Sequence, residues 1–186
     1  MDESRLPRLV RGSPGMAVLT GGQTGVDTLA ARAALRAGLP VHLIFPQGYR
    51  QEDGSLTASR RRALIGASLH TLGSGSFRYR TWTSVYLCDA VMLLDPAGGD
   101  GCLETARAAE RLGRPLLSPW PGQVSSAEVT AWLEDADARV LMVAGCRASL
   151  MARAGAGRDL RPQLARIMAG ASDRHACLLR EAGLTS

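Results

Sequence analysis

Short apolar runs alternate with helically spaced apolar stripes along this chain, and the change of period marks where strands give way to helices. Met16 to Thr20 is an apolar run with the glycine cluster Gly21–Gly25 directly behind it, the look of a buried parallel strand. From Val26 the spacing of Leu29, Ala33 and Ala37 is helical, and Gly38 with Pro40 ends it. Val41 to Phe45 reads as the second strand, closed by Pro46 and followed by the polar loop 47–54, a candidate ligand contact. Ala58 to Ile65 predicts a helix, Leu69 to Leu72 a short strand, Gly73 to Ser76 a flexible turn, and Thr81 to Cys88 a helix. Ala90 to Asp95 is the plainest buried strand, with a second glycine cluster, Gly98 to Gly101, directly after it. Leu103 to Leu112 predicts the next helix and Pro115 to Ser118 a strand. Ser125 or Ser126 would cap a helix through Asp137, Val140 to Ala144 gives a late strand, and Leu160 to Ala182 a terminal helix. About five strands alternating with about five helices predict an α/β fold, a doubly wound Rossmann-like parallel sheet in a single domain over 16–186, behind a flexible arm over 1–15.

Composition narrows the partners more than the fold. At 186 residues, 46% of them apolar, the chain can bury one core, and the scarcity of aromatics beside abundant Ala, Leu, Val and Gly disfavours a β-sandwich. The formal charge is +5, carried by Arg with no Lys in the chain. That bias is more economically read as base composition than as nucleic-acid contact, and the run Arg60-Arg61-Arg62, without interleaved aromatics, reads as a solvated helix face. Cys88, Cys102, Cys146 and Cys177 form no C-x-x-C pair and no metal-ligand spacing, so no metal site and no disulfide framework is expected. No stretch has signal-peptide or membrane-spanning character, which sets the expected location as the cytoplasm.

The two glycine turns carry the candidate chemistry. A helix N-terminus presents unpaired amides and a partial positive charge, and glycines let a phosphate approach them without Cβ obstruction. In a parallel sheet both turns lie at the carboxyl edge, and if their strands are neighbours they face one crevice. The first turn is neither a dinucleotide fingerprint nor a Walker A loop. Gln23 and Thr24 can donate to a phosphate or ring, while Asp27 could cap the helix or accept from a sugar hydroxyl. In the second turn, the carboxylates of Asp100 and Glu104 would stabilise the first helical turn, or bind a hydroxyl, or act as catalytic groups if the protein is an enzyme. Beside a phosphate they require compensation by Arg50, Arg80 or Mg²⁺. Thr81 follows Arg80 in the same segment, and Cys102, without a sequence-near His, reads as a packed small residue at the ligand rather than a nucleophile. The predicted ligand set is thus Gly21, Gly22, Gln23, Thr24, Gly25, Asp27, Arg50, Arg80, Thr81, Gly98, Gly99, Asp100, Gly101 and Cys102.

Leu19-Thr-Gly-Gly-Gln-Thr-Gly-Val-Asp27, Pro46-Gln-Gly48 and Glu52-Asp-Gly54, then Tyr79-Arg-Thr81, Val85, Asp89-Ala90, Gly98-Gly99, Pro115-Leu-Leu117 and Val143-Ala-Gly145 with Arg147, resemble the molybdenum carrier family. The resemblance implies a homo-oligomer that binds molybdenum cofactor as cargo, or a nucleotide-like ligand, through the two turns. That family looks like a branch of a Rossmann-like group that also holds the Lonely-Guy phosphoribohydrolases and the nucleotide-binding module of DNA-processing proteins. Against the hydrolases' Pro-Gly-Gly-x-Gly-Thr-x-x-Glu, residues 97–105 place Ala97 at Pro, Cys102 at Thr and Thr105 at the catalytic Glu. Glu104 is one residue early, about a hundred degrees around the helix. The alternatives to a carrier are therefore a nucleoside 5'-monophosphate N-glycosidase using Glu104 or Asp100, or a nucleotide-sensing module.

Overall fold

The computed structural model describes residues 3–95, 97–119, 123–154 and 160–184. Six strands form one sheet in the order β5-β2-β1-β8-β6-β7, every pairing parallel: Ala17–Thr20 (β1), Val41–Phe45 (β2), Ser68–Thr71 (β5), Ala90–Leu94 (β6), Leu116–Leu117 (β7) and Val140–Gly145 (β8). The loop read as polar connection holds a small antiparallel hairpin, Arg50–Gln51 (β3) against Gly54–Ser55 (β4). β1, β2 and β6 are buried at every residue, which is why their sequences are mostly apolar rather than alternating, with His42 and Thr20 as the polar exceptions.

The helices form two layers. Val26–Arg36 (α2) and Ser126–Asp135 (α6) pack against the long terminal helix Leu160–Glu181 (α8). On the other face Phe77–Leu87 (α4) packs against Asp100–Arg111 (α5) and against the N-terminal helix Leu6–Arg11 (α1). Two shorter helices, Ala58–Arg62 (α3) and Ala148–Ala154 (α7), lie in the connections. In place of the flexible arm expected over 1–15, residues 3–11 are helical and docked. Leu6 and Val10, one helical turn apart, are both buried in the core, and Glu3 accepts from the Gly73 amide and the Tyr79 hydroxyl.

One buried polar pair makes the fold sensitive to acid. His42 on β2 and His70 on β5 stack at 5.4 Å between ring centroids, with His42 Nδ1 and His70 Nε2 3.1 Å apart. Burial, together with the neighbouring His70, pushes the His42 imidazole down to about 4. The unfolded chain therefore takes up a proton near pH 6.5 that the native protein refuses until about pH 4, so stability is lost as pH falls through that window. The expected loss is about 3 kcal/mol by the bottom of it. Urea denaturation at pH 7.5, 5.5 and 4.5 checks this: the midpoint should fall steeply in the native chain and more gently in His42→Gln. Parallel profiles for the two would assign the acid sensitivity elsewhere.

Candidate functional site

A crevice with a cavity of about 350 Å³ opens at the carboxyl edge of the sheet. Both glycine turns border it, but their strands are not neighbours: β8 lies between β1 and β6. The end of β8, Ala144 through Arg147, consequently forms a third wall that spacing within either turn could not announce. Ligands of open α/β sheets bind in this position, outside the carboxyl ends of the strands.

The first wall is built around a buried ion pair. Ser76 caps α4 by accepting from the Tyr79 amide, which places Arg80 in the first helical turn rather than in a loop before it. Arg80 is 8% exposed, its Nη1 donates to Asp27 Oδ2 at 3.5 Å, and its buried Nε has no hydrogen-bond partner. Asp27 Oδ2 also accepts from the Gln23 amide at 3.0 Å, which fixes the glycine turn to its own helix. Burial raises the Asp27 carboxyl above its usual range despite the attraction of Arg80, and burial likewise lowers Arg80. A Cβ on Gly21 would sit 1.2 Å from Arg80 Nη1 and 2.7 Å from Asp27 Oδ2, so any larger residue there must displace the ion pair. The glycine serves the guanidinium at least as directly as it would serve a ligand.

The second wall is the start of α5. Gly99 is its N-cap, and the amides of Asp100 and Gly101 that follow have no intrahelical acceptor by position. Asp95 Oδ1 accepts from the Gly98 and Gly99 amides and so takes up part of the donor capacity that the glycine turn offers. Gly99, Asp100, Gly101, Cys102 and Glu104 line the cavity, as do Gln23, Asp27, Arg80 and Thr81 across from them. Glu104 accepts from Trp82 Nε1 at 2.6 Å and Arg78 Nε at 2.7 Å, and these two contacts hold its carboxyl below the usual range. It is therefore an ionised, spoken-for carboxylate and a poor proton donor at neutral pH. Thr105, at the place of the hydrolases' glutamate, turns its hydroxyl back to the Gly101 carbonyl.

Other predicted residues fall outside the cavity. Thr24 is buried and bonds the Glu52 carboxylate and the Ala148 amide, on the far side of the turn. Gly22, at φ 71°, packs on Phe45 and gives its carbonyl to Gln51 Nε2, while Gly25, at φ 82°, presses against the Cys146 carbonyl. Arg50 is exposed, donates to the Gly75 carbonyl and lies over the Phe77 ring, and it is not among the residues that line the crevice. Gly98 adopts φ 63° to turn the chain into α5 without itself lining the cavity.

Sequence reasoning left Glu52, Arg147 and Cys146 out of the ligand set, although Glu52 and Arg147 stand among the family motifs. Glu52 sits in the polar loop singled out as a ligand contact; its own amide donates to Gln23 Oε1 and its carboxylate accepts from Ser149 and Thr24. Burial acts to raise this carboxyl, but those hydrogen bonds outweigh it and the net shift is downward. The signal for Cys146 and Arg147 was the glycine break directly after a late strand. Such a break in a parallel sheet marks the same edge as the other two turns.

A six-stranded parallel sheet with helices on both faces and a ligand-sized crevice at its carboxyl edge defines a Rossmann-like α/β domain. The model of the circularly permutated YpsA SLOG family matches residues 18–167, and the chain belongs to that family. Among solved structures it is similar to the protein from Syntrophus aciditrophicus SB named "Putative molybdenum carrier protein", at TM-score 0.62 and 22% identity, over 86% of this chain and 94% of that one. Similarity to AtPrR2 in apo form is slighter, at TM-score 0.39 and 17% identity, over 72% of this chain and 49% of that one. No curated protein matches the chain. Family and fold both agree with the resemblance drawn from the motifs.

Proposed function

We propose that the crevice binds a phosphorylated small molecule, with the phosphate-bearing pterin of molybdenum cofactor as the cargo. The observation that carries this reading is Arg80: a buried guanidinium with an unpartnered Nε and only a long contact to Asp27, lining the same crevice as the open amides of α5. A buried donor without an acceptor is costly, and a phosphate oxygen would relieve it with a charge-assisted bond. The solved relative's name, a molybdenum carrier protein, directs the choice among phosphorylated ligands. Asp100, also at the crevice, would repel a phosphate directly or hold it through Mg²⁺. A homo-oligomer belongs to the same reading.

The test is native mass spectrometry of the protein purified, with and without a chelator, from a host that makes molybdenum cofactor. The expected result is one pterin mass per chain, with a total mass that also reports the assembly. A nucleotide mass in its place would move the reading to the nucleotide-sensing module. Recovery of ligand-free protein from such a host, together with no uptake of added cofactor, would overturn the carrier reading. Release of free base from a nucleoside monophosphate panel would replace it with the hydrolase, for which Asp100 is the carboxylate at the crevice without a protein cation paired to it among the described residues.

A further inference from the structure

Three residues far apart in sequence meet beneath the crevice. Asp95 directly follows β6, Cys102 lies in the first turn of α5, and Cys146 follows β8. Their ligand atoms all lie within 4.8 Å of one another. The two sulfurs are 3.9 Å apart, and Cys146 Sγ donates to Asp95 Oδ1 at 2.8 Å. Both cysteines line the cavity and both are almost fully buried.

From this geometry we propose that Asp95, Cys102 and Cys146 form a binding site for a thiophilic divalent cation of the zinc class, with a fourth coordination position open to the crevice. Two thiolates about 2.3 Å from one tetrahedral zinc stand about 3.8 Å apart, so the sulfurs already have the required separation. A sulfur and a carboxylate oxygen on the same ion stand about 3.6 Å apart, so the Asp95–Cys146 contact opens by less than an ångström as the metal replaces the shared proton. Two sulfurs and one carboxylate select zinc over calcium or magnesium, which prefer all-oxygen sites.

The surroundings are arranged as a metal centre requires. The Gly98 and Gly99 amides orient the Asp95 carboxylate, the kind of outer support that fixes a ligand's direction. The N-terminus of α5 places a partial positive charge beside an assembly that would carry a net negative charge when loaded. Without metal, burial, the neighbouring thiol and the Asp95 charge push the Cys102 thiol up, and burial with Asp95 does the same to Cys146. Both are therefore protonated, hydrogen-bonded thiols until a cation displaces their protons, and loading must release protons and strengthen as pH rises. Three protein ligands with an open fourth position are the pattern of a site that takes water or a donor atom of a bound molecule.

Cobalt(II) titration of the fully reduced native chain tests this independently of any organic ligand. The expected result is one cobalt per chain, with thiolate-to-cobalt charge transfer in the near ultraviolet, tetrahedral bands in the visible, and loss of both on adding zinc(II). Cys102→Ser and Cys146→Ser should each abolish the charge-transfer band, Asp95→Asn should weaken binding, and Cys177→Ser, altering a thiol on α8, should leave it unchanged. Circular dichroism establishes that each variant is folded, and zinc should raise the melting temperature of the native chain. Absence of a thiolate band in native protein with titratable free thiols overturns the site, as does a band that survives in folded Cys102→Ser and Cys146→Ser.

Discussion

Arg80→Ala should destabilise the fold by about 3–5 kcal/mol, because it leaves the Asp27 carboxylate buried without its cation. The cost has a ceiling and a pH dependence, since Asp27 can take up a proton instead of remaining ionised. Its native carboxyl already lies above the ordinary value of 3.8, and removing Arg80 raises it further. A group with a raised native value loses stability as pH climbs from the unfolded value through the native one. The variant should therefore be more nearly normal at pH 5 than at pH 8. Urea denaturation at both values gives the profile, and adding Asp27→Asn should recover much of the loss at pH 8. Ligand affinity separates the two roles of the arginine. If Arg80 contacts the phosphate, the double variant regains stability while binding stays weaker by about 1.5–3 kcal/mol. Equal denaturation midpoints for Arg80→Ala and the native chain would show that the pair stabilises nothing.

Gly145→Ala should be the most damaging single methyl in the sheet. A Cβ at Gly145 would stand 2.1 Å from the Leu94 carbonyl oxygen and 2.7 Å from Val26 Cγ2. The first of these is backbone, locked in the parallel pairing of β6 with β8 at Leu94 and Gly145, so it cannot step aside as a side-chain tip can. Overpacking of this kind costs about 3 kcal/mol, which for a chain of this size is roughly 6–12 °C of melting temperature. Calorimetry reads it directly. The same strain shifts Cys146, so the cobalt spectrum of this variant should weaken as well; an unchanged melting temperature would mean that β6 and β8 are less rigidly paired than their geometry requires.

Strand β2 is legible in the sequence to the residue, because a largely apolar run bounded by Pro40 and Pro46 has both of its ends fixed. The start of α4 is not: Ser76 reads as part of a flexible turn, although its side chain caps the helix. That displacement matters, because it puts Arg80 inside the helix, facing Asp27, rather than in a loop. The β3–β4 hairpin is invisible to periodicity, since two-residue strands have no period. Of the candidate site, the turns and Arg80 are readable from local chemistry. The meeting of Cys102 with Cys146 is not, because it depends on β8 entering between β1 and β6, and spacing rules see only neighbours in the chain.

That late insertion also governs how the molecule can come together during synthesis. Until residues 140–145 leave the ribosome, β1 and β6 each hold an open edge toward the gap that only β8 closes, through the pairs Val18 with Leu141 and Met92 with Val143. The two halves of the sheet can form beforehand but cannot join, and exposed strand edges of this kind invite pairing with other chains. Closure of the sheet thus waits for β8, whatever order the other strands form in. A chain stopped before Val140 would carry both unsatisfied edges permanently, which makes the centre of the sheet, rather than either rim, the place where premature termination turns into aggregation.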